Sequence, residues 1–192
     1  MKRLEIVNIL GSPRKNGTTA RIARAFTETA ERRGAAVKNY YLNGMQYRGC
    51  QGCEGCHTRS DKCILRDDAT QILEDLFTAD ITVFSSPIYF GDTSGQFKSF
   101  YDRMWSLIRR EYISDPADAS RLPKGKTALL ILSQVDARIA HEDVLKRYSM
   151  YLQLYGFSVK TIMAADLDMK PNTDISTYAL EAEQLARELV LQ

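Results

Sequence analysis

The sequence predicts an α/β protein whose parallel sheet is covered by helices on both faces. Three observations predict it. Five short apolar runs alternate with five runs of helical period, an order that implies right-handed crossovers between parallel strands. The loops that follow the first four of these strands open at their carboxyl ends, where such sheets bind ligands. The chain of 192 residues, 44% hydrophobic and 26% charged, has the size and composition of one domain spanning 1–192 with a sizeable core.

Leu4 to Leu10 reads as a buried strand. Thr19 to Arg33 reads as a helix, with Ile22, Ala23, Phe26 and Ala30 on its apolar side and a stop at Gly34. Ala35 to Leu42 is a second strand ending in Tyr40-Tyr41. Residues 43–68 lack a period and form a cysteine-rich insertion loop. A helix then places Ala69, Ile72, Leu73, Leu76 and Phe77 on one face, with Asp67 or Asp68 as its cap. Ile81 to Ser85 is a third strand, and Ser86 to Gly95 is a loop. The next helix aligns Phe97, Phe100, Tyr101, Met104 and Ile108. Glu111 to Gly125 reads as a surface loop and Thr127 to Leu132 as a fourth strand, followed by the polar loop Ser133 to Asp136. A further helix turns Val144, Leu145, Tyr148, Tyr151, Leu152 and Tyr155 inward and stops at Gly156. Phe157 to Ala164 is the fifth strand. The last helix, about Thr173 to Leu191, buries Tyr178, Ala182, Leu185, Ala186 and Leu189.

Composition excludes several classes. A net charge of +2 gives no reason to expect nucleic acid or a membrane surface as partner. No apolar run approaches the ~20 residues of a membrane-spanning helix, and the stretch before Gly11 lacks the apolar segment of a signal peptide. A cytoplasmic location is therefore expected. Four cysteines between Cys50 and Cys63, with no export signal, point to metal or redox chemistry rather than a disulfide framework. No Ser-His-Asp set or paired carboxylates suggest a hydrolase, and no catalytic side chain is expected.

The stretch Gly11-Ser12-Pro13-Arg14-Lys15-Asn16-Gly17-Thr18-Thr19 joins the first strand to the first helix. A strand, a tight polar turn and a helix N-terminus make an anion site, because the first helical N–H groups have no partner of their own. Ser12, Asn16, Thr18 and Thr19 add short donors, and Arg14 and Lys15 add charge. The helix dipole contributes about 0.3–1 kcal/mol to a nearby anion. Each hydrogen bond to a charged group contributes about 1.5–3 kcal/mol, so the donors should dominate. The loop is not a Walker A sequence, since no Lys follows Gly17. Nor is it a dinucleotide fingerprint, since Pro13 stands where the second glycine belongs. It suits a terminal monophosphate such as that of FMN; the alternative is a polar turn without a ligand.

The spacing C-x2-C-x2-C-x6-C, with Gly52 and Gly55 between the first three cysteines, lets a short backbone wrap a compact centre. This suits a [4Fe–4S] cluster held by Cys50, Cys53, Cys56 and Cys63. Zinc and metal-free thiols remain alternatives. His57 reads as an exposed loop histidine, and His141 as a first-turn residue with no evident partner. After the third strand, Pro87 stiffens the turn and Gly91 permits close backbone approach. Tyr89 and Phe90 offer a flat apolar edge to a ring system; a packed turn is the plainer alternative. Ser133 and Gln134 are further candidates for polar contacts to that ring. Trp105 and Lys98, Asp102 and Arg103 read as packing, helix surface or a subunit contact.

These motifs together, G-S-P-R-x-N-G-T-T, the cysteine segment running into Asp67-Asp68, and S-P-I-Y-F-G…K-x3-D-R, resemble the NADPH-dependent FMN reductase-like proteins of the flavodoxin-like fold. More narrowly they resemble the iron–sulfur flavoproteins. The resemblance extends from about Leu4 to Met104. It implies a three-layer α/β/α sandwich with a five-stranded sheet of order 2-1-3-4-5, one FMN per subunit and a homodimer or homotetramer. It further implies a [4Fe–4S] cluster exchanging electrons with the flavin. The donor would be ferredoxin-like or NAD(P)H, and the acceptor a quinone, flavin or oxygen species. Carried over, Ser12, Arg14, Asn16, Gly17, Thr18 and Thr19 would hold the phosphate. Pro87, Ile88, Tyr89, Phe90 and Gly91 would line the isoalloxazine, and the four cysteines would ligate the cluster. Two other readings stay open: an NAD(P)H-dependent FMN or quinone reductase without a cluster, and a non-catalytic thiol or metal sensor.

Overall fold

The computed structural model describes residues 3–168, 170 and 172–190. The chain runs β1 (Glu5–Leu10), α1 (Thr18–Arg32), β2 (Ala36–Tyr41), α2 (Gly55–Thr58), α3 (Ala69–Thr78), β3 (Ile81–Tyr89), β4 (Asp92–Thr93), α4 (Gly95–Arg103), β5 (Thr127–Ser133), α5 (Glu142–Leu154), β6 (Ser158–Ala164) and α6 (Ser176–Leu189). The strands line up as β2-β1-β3-β5-β6, with β4 paired to β3 off this path. All pairings along the path are parallel, and β3–β4 is an antiparallel hairpin. With the two-residue β4 set aside, this is the expected 2-1-3-4-5 order.

The pleat divides the core. Side chains alternate across a strand, so Val7, Ile9, Phe84, Leu130 and Leu132 face one layer, where α3, α4 and α5 contribute Ile72, Leu76, Phe97, Phe100, Val144 and Leu152. Ile6, Val83, Leu129, Ile131 and Ile162 face the other, against Ile22, Phe26 and Ala30 of α1 and Ala182 and Ala186 of α6. No described helix is long and apolar enough to cross a membrane.

Several expectations are corrected. The third strand does not end at Ser85 but continues through Pro87 to Tyr89, because Ser86 and Pro87 stay in register with Leu132 and Ser133 of β5 and the β4 hairpin then turns the chain back. The helix after it ends at Arg103 and tightens into a 3-10 turn at Met104–Leu107. Ile108 is buried through a bridge to Ser120 instead. The segment before β5 is not wholly surface: it holds two 3-10 turns and buries Ala119 and Leu122. Tyr151 lies outward, not inward. Asp67 caps Ala69, while Asp68 ties back to the Gln46 amide. The last helix begins at Ser176, not Thr173, and its expected end at Leu191 lies outside the described residues.

Candidate functional site

The polar loop between β1 and α1 is fixed at both ends. Gly11 donates to the Ser85 carbonyl (2.7 Å), and its own carbonyl accepts from Ser94 Oγ (2.6 Å). A Cβ at Gly11 would stand 2.7 Å from Phe97 Cβ and 2.8 Å from Ser85 O, so only glycine permits this approach. Within the loop Ser12 Oγ accepts from the Arg14 amide (3.2 Å), and Gly17 donates to Arg14 O (2.9 Å). Tyr41, at the end of β2, donates to Pro13 O (2.6 Å). Gly17 is the N-cap of α1 and supplies no side chain, so the first backbone donors of the helix are not capped by one. The first of them to find a carbonyl is Arg21, on Gly17 (3.0 Å).

A cleft of about 480 Å³ opens beside this loop, at the carboxyl edge of the sheet. Arg14, Thr18, Pro87, Ile88, Tyr89, Ser133 and Gln134 line it, so the three expected loops converge. The other expected residues stand around it. Thr19 is buried and hydrogen-bonds Ser133 Oγ (2.5 Å), tying the β1 loop to the β5 loop. Asn16 Oδ1 accepts from Arg24 Nη2 (2.9 Å). Phe90 is fully exposed in a left-handed turn (φ 51°), with Gly91 beside it (φ 86°). Val135, Leu167 and Asp168 also line the cleft and were not anticipated. The signal for the last two was the topology itself, because the loop after β6 opens at the same edge. A hydrogen bond from Thr173 and then Lys170 hold the Asp168 carboxyl below the usual aspartate value.

The cleft fits a phosphate-bearing ring cofactor. Arg14, Thr18 and the start of α1 offer donors at one end. At the other, Gln134 Oε1 is buried without a hydrogen-bond partner among the described residues. Its amide nitrogen donates to Asp136 O and Ala137 O, which orients that oxygen as a free acceptor. A ring N–H would satisfy it.

The four cysteines line a second, much smaller pocket together with Arg103 and Trp105. Cys50 and Cys53 are exposed, Cys56 is buried and Cys63 is intermediate. Burial pushes the Cys56 thiol up. Among the described residues no three His, Cys, Asp or Glu side chains are grouped to hold a single metal ion. What the four cysteines share is the lining of one pocket. Gly52 takes the expected positive φ (61°), but Gly55 does not; a Cβ there would meet Ile64 Cδ1 at 2.7 Å, so that side chain would have to shift. Glu54 takes the second left-handed position.

Arg103, at the end of α4, organises this segment and is itself 1% exposed. Its Nε donates to Cys63 Sγ (3.1 Å). Nη1 donates to Arg48 O (2.9 Å) and Asp67 Oδ2 (2.8 Å), and Nη2 to Leu65 O (3.3 Å). Burial opposes ionisation of Asp67, yet the Arg103 hydrogen bond and the Arg48 amide outweigh it and lower its carboxyl. His57 is not an exposed loop residue: its side chain is 3% exposed. Its Nε2 donates to Ile108 O (2.8 Å), Nδ1 lies 3.0 Å from Glu54 Oε2, and the ring packs edge-on to Trp105. His141, for which no partner was expected, lies 3.4 Å from Asp136.

The model of the NADPH-dependent FMN reductase family matches residues 4–171. An iron–sulfur flavoprotein from Methanosarcina thermophila is 30% identical over 109 residues, covering 57% of this chain and 56% of that protein. The chain spans about half the length of the curated relatives it matches, 46–56% in that protein and two others. The fold is that of an FMN-dependent NADH-azoreductase from Bacillus anthracis solved with FMN (TM-score 0.76, 13% identity, 97% of this chain and 100% of that one). An NAD(P)H:quinone oxidoreductase from Methanothermobacter marburgensis shares it (TM-score 0.74, 17% identity, 100% and 99% covered).

Proposed function

Because the chain belongs to the NADPH-dependent FMN reductase family, we propose that it is an FMN-dependent oxidoreductase of the iron–sulfur flavoprotein type. The observation that carries this reading is the convergence of the phosphate-type loop, the Pro87–Tyr89 strand end and Gln134 on one cleft. Bound there, FMN supplies the redox chemistry, taking electrons in pairs and releasing them in pairs or singly. The chain's part is binding and orientation. Arg14, Thr18 and the first amides of α1 hold the phosphate, with Ser12 and Gly17 shaping the turn. Pro87, Ile88 and Tyr89 support the ring, and Gln134 Oε1 accepts from it. Thr19 and Ser133 hold the two sides of the cleft at a fixed separation.

In the finer reading, Cys50, Cys53, Cys56 and Cys63 hold a [4Fe–4S] cluster that exchanges single electrons. That all four cysteines line one pocket supports it. The buried Arg103 orients Cys63 Sγ. A nicotinamide or ferredoxin-like donor, a quinone, flavin or oxygen species as acceptor, and a homodimer or homotetramer complete this proposal. A second reading, an NAD(P)H-dependent reductase without a cluster, is favoured by the exposure of Cys50 and Cys53.

The test is the visible spectrum of protein purified without oxygen, with iron, sulfide and FMN assayed on the same sample. About four irons and one FMN per chain, with a broad shoulder under the flavin bands, are expected. Flavin without iron moves the assignment to the second reading. No flavin uptake from added FMN overturns both.

A further inference from the structure

Trp105 lines the cysteine pocket and also a third, larger cleft of about 470 Å³, which shares no lining residue with the FMN cleft. Its walls are Tyr101, Trp105, Tyr112, Tyr148, Tyr151 and Tyr155. They meet edge to face: Tyr101 and Tyr148 have centroids 4.9 Å apart at 70°, and Trp105 and Tyr112 stand 5.5 Å apart at 88°. The volume falls in the range of small-molecule sites, about 300–1,000 Å³, and such walls favour a flat aromatic ligand.

The charges at the rim are already matched. Lys98 pairs with Asp102 (2.5 Å), and Arg147 with Asp92 (3.1 Å) and Asp143 (3.5 Å). No cation at the rim is left over for an anionic ligand, and the aromatic walls would desolvate its charge, so an uncharged one fits better. One polar group is left over. Tyr101 is 7% exposed, and its hydroxyl has no hydrogen-bond partner among the described residues. The neighbouring Tyr148 hydroxyl, by contrast, is within hydrogen-bond distance of both Thr93 and Asp92. Burial, and then the surrounding tyrosines and Asp102, keep the Tyr101 phenol protonated. It is therefore a donor without an acceptor, a state buried polar groups rarely occupy.

We propose that this cleft binds an uncharged, planar aromatic compound carrying a ring carbonyl, with the Tyr101 hydroxyl donating to that carbonyl. The site is separate from the FMN cleft and does not rest on the cluster.

Coumarin is a suitable probe, being flat, neutral, carbonyl-bearing and not a redox partner for flavin. Its binding is measured by calorimetry and saturation-transfer NMR on the full chain, with and without FMN loaded. Saturable one-site binding is expected in both forms. Coumarin-3-carboxylate, the same ring with a charge, should bind more weakly, because the aromatic walls desolvate its carboxylate. Tyr101→Phe keeps the ring and removes the donor, so affinity should fall about fivefold to tenfold with no loss of thermal stability. Tyr151→Ala, at the exposed rim, should weaken binding independently of any repacking at Tyr101. The proposal is overturned by absence of saturable binding, by unchanged affinity in both variants, or by tighter binding of the carboxylate. It is equally overturned if a second copy of the chain fills the cleft, shown by coumarin binding only after Tyr151→Ala dissociates an oligomer.

Discussion

The cleft proposed for FMN and the cysteine pocket are held in place by different means. The cleft walls are extensions of strands: Leu10 leads into the phosphate-type loop, Pro87 to Tyr89 belong to β3, and Ser133 ends β5. Their positions are set by parallel ladders that run the length of the sheet. The cysteine segment has one short helix, Gly55–Thr58, and no strand. It is held by side chains reaching in from elsewhere: Arg103 to Cys63, Asp67, Arg48 and Leu65, and Arg121 to Cys56 O, Asp61 O and Ser106 O. His57 reaches out to Ile108 O in return. Support spread over many backbone bonds tolerates the loss of any one. Support concentrated in two arginines does not.

The strongest break of this comparison is chemical. Cys53→Ala should remove all iron while leaving FMN content at the wild-type level, as read by metal analysis and flavin release. Equal loss of both would mean the two sites are not independently built. Next comes Arg103→Met. It removes one partner of a buried ion pair and leaves Asp67 without its counter-charge, which costs about 3–5 kcal/mol. Urea unfolding should show that loss, and folded protein below the transition should still take up FMN. Arg14→Ala acts only on the cleft. Losing one charged hydrogen bond of about 1.5–3 kcal/mol should raise the FMN Kd about 10- to 150-fold, measured by quenching of free flavin fluorescence, with unchanged iron content.

The smallest effect concerns the edge of the sheet, where β2 meets α3. Asp75 of α3 accepts from Lys38 and Tyr40 of β2 and from Gln71. Burial would raise its carboxyl, but hydrogen bonds from Tyr40, Lys38 and Gln71 outweigh it and hold the value below the usual aspartate range. A carboxylate depressed in the folded state adds stability above its unfolded pKa, and that share is lost as pH falls through the folded value. Wild-type protein should therefore lose stability below roughly pH 4 more steeply than Asp75→Asn, as read by thermal melts across that range.

What could be read from the sequence follows the same division. The phosphate-type loop was legible because its parts are consecutive, and the core faces because their periods are regular. The end of β3 was not, since proline argues against a strand, and only its pairing with Ser133 shows that this one is tolerated. His57 looked exposed because what covers it, Trp105 and Ile108, lies about fifty residues away in sequence. For Arg103 the sequence left packing, helix surface and a subunit contact open for the same reason: its partners are 36 to 55 residues upstream. Leu167 and Asp168 carried no motif at all.

That separation has a consequence for the order of assembly. Contacts that span 36 to 55 residues form only after the intervening chain has closed on itself. The segment from Arg48 to Asp67 can take its final shape only once α4 has docked on the sheet and delivered the Arg103 guanidinium. During synthesis the four thiols therefore emerge before the arginine that reaches Cys63. The pocket they line is closed by residues made after them, Arg103 and Trp105.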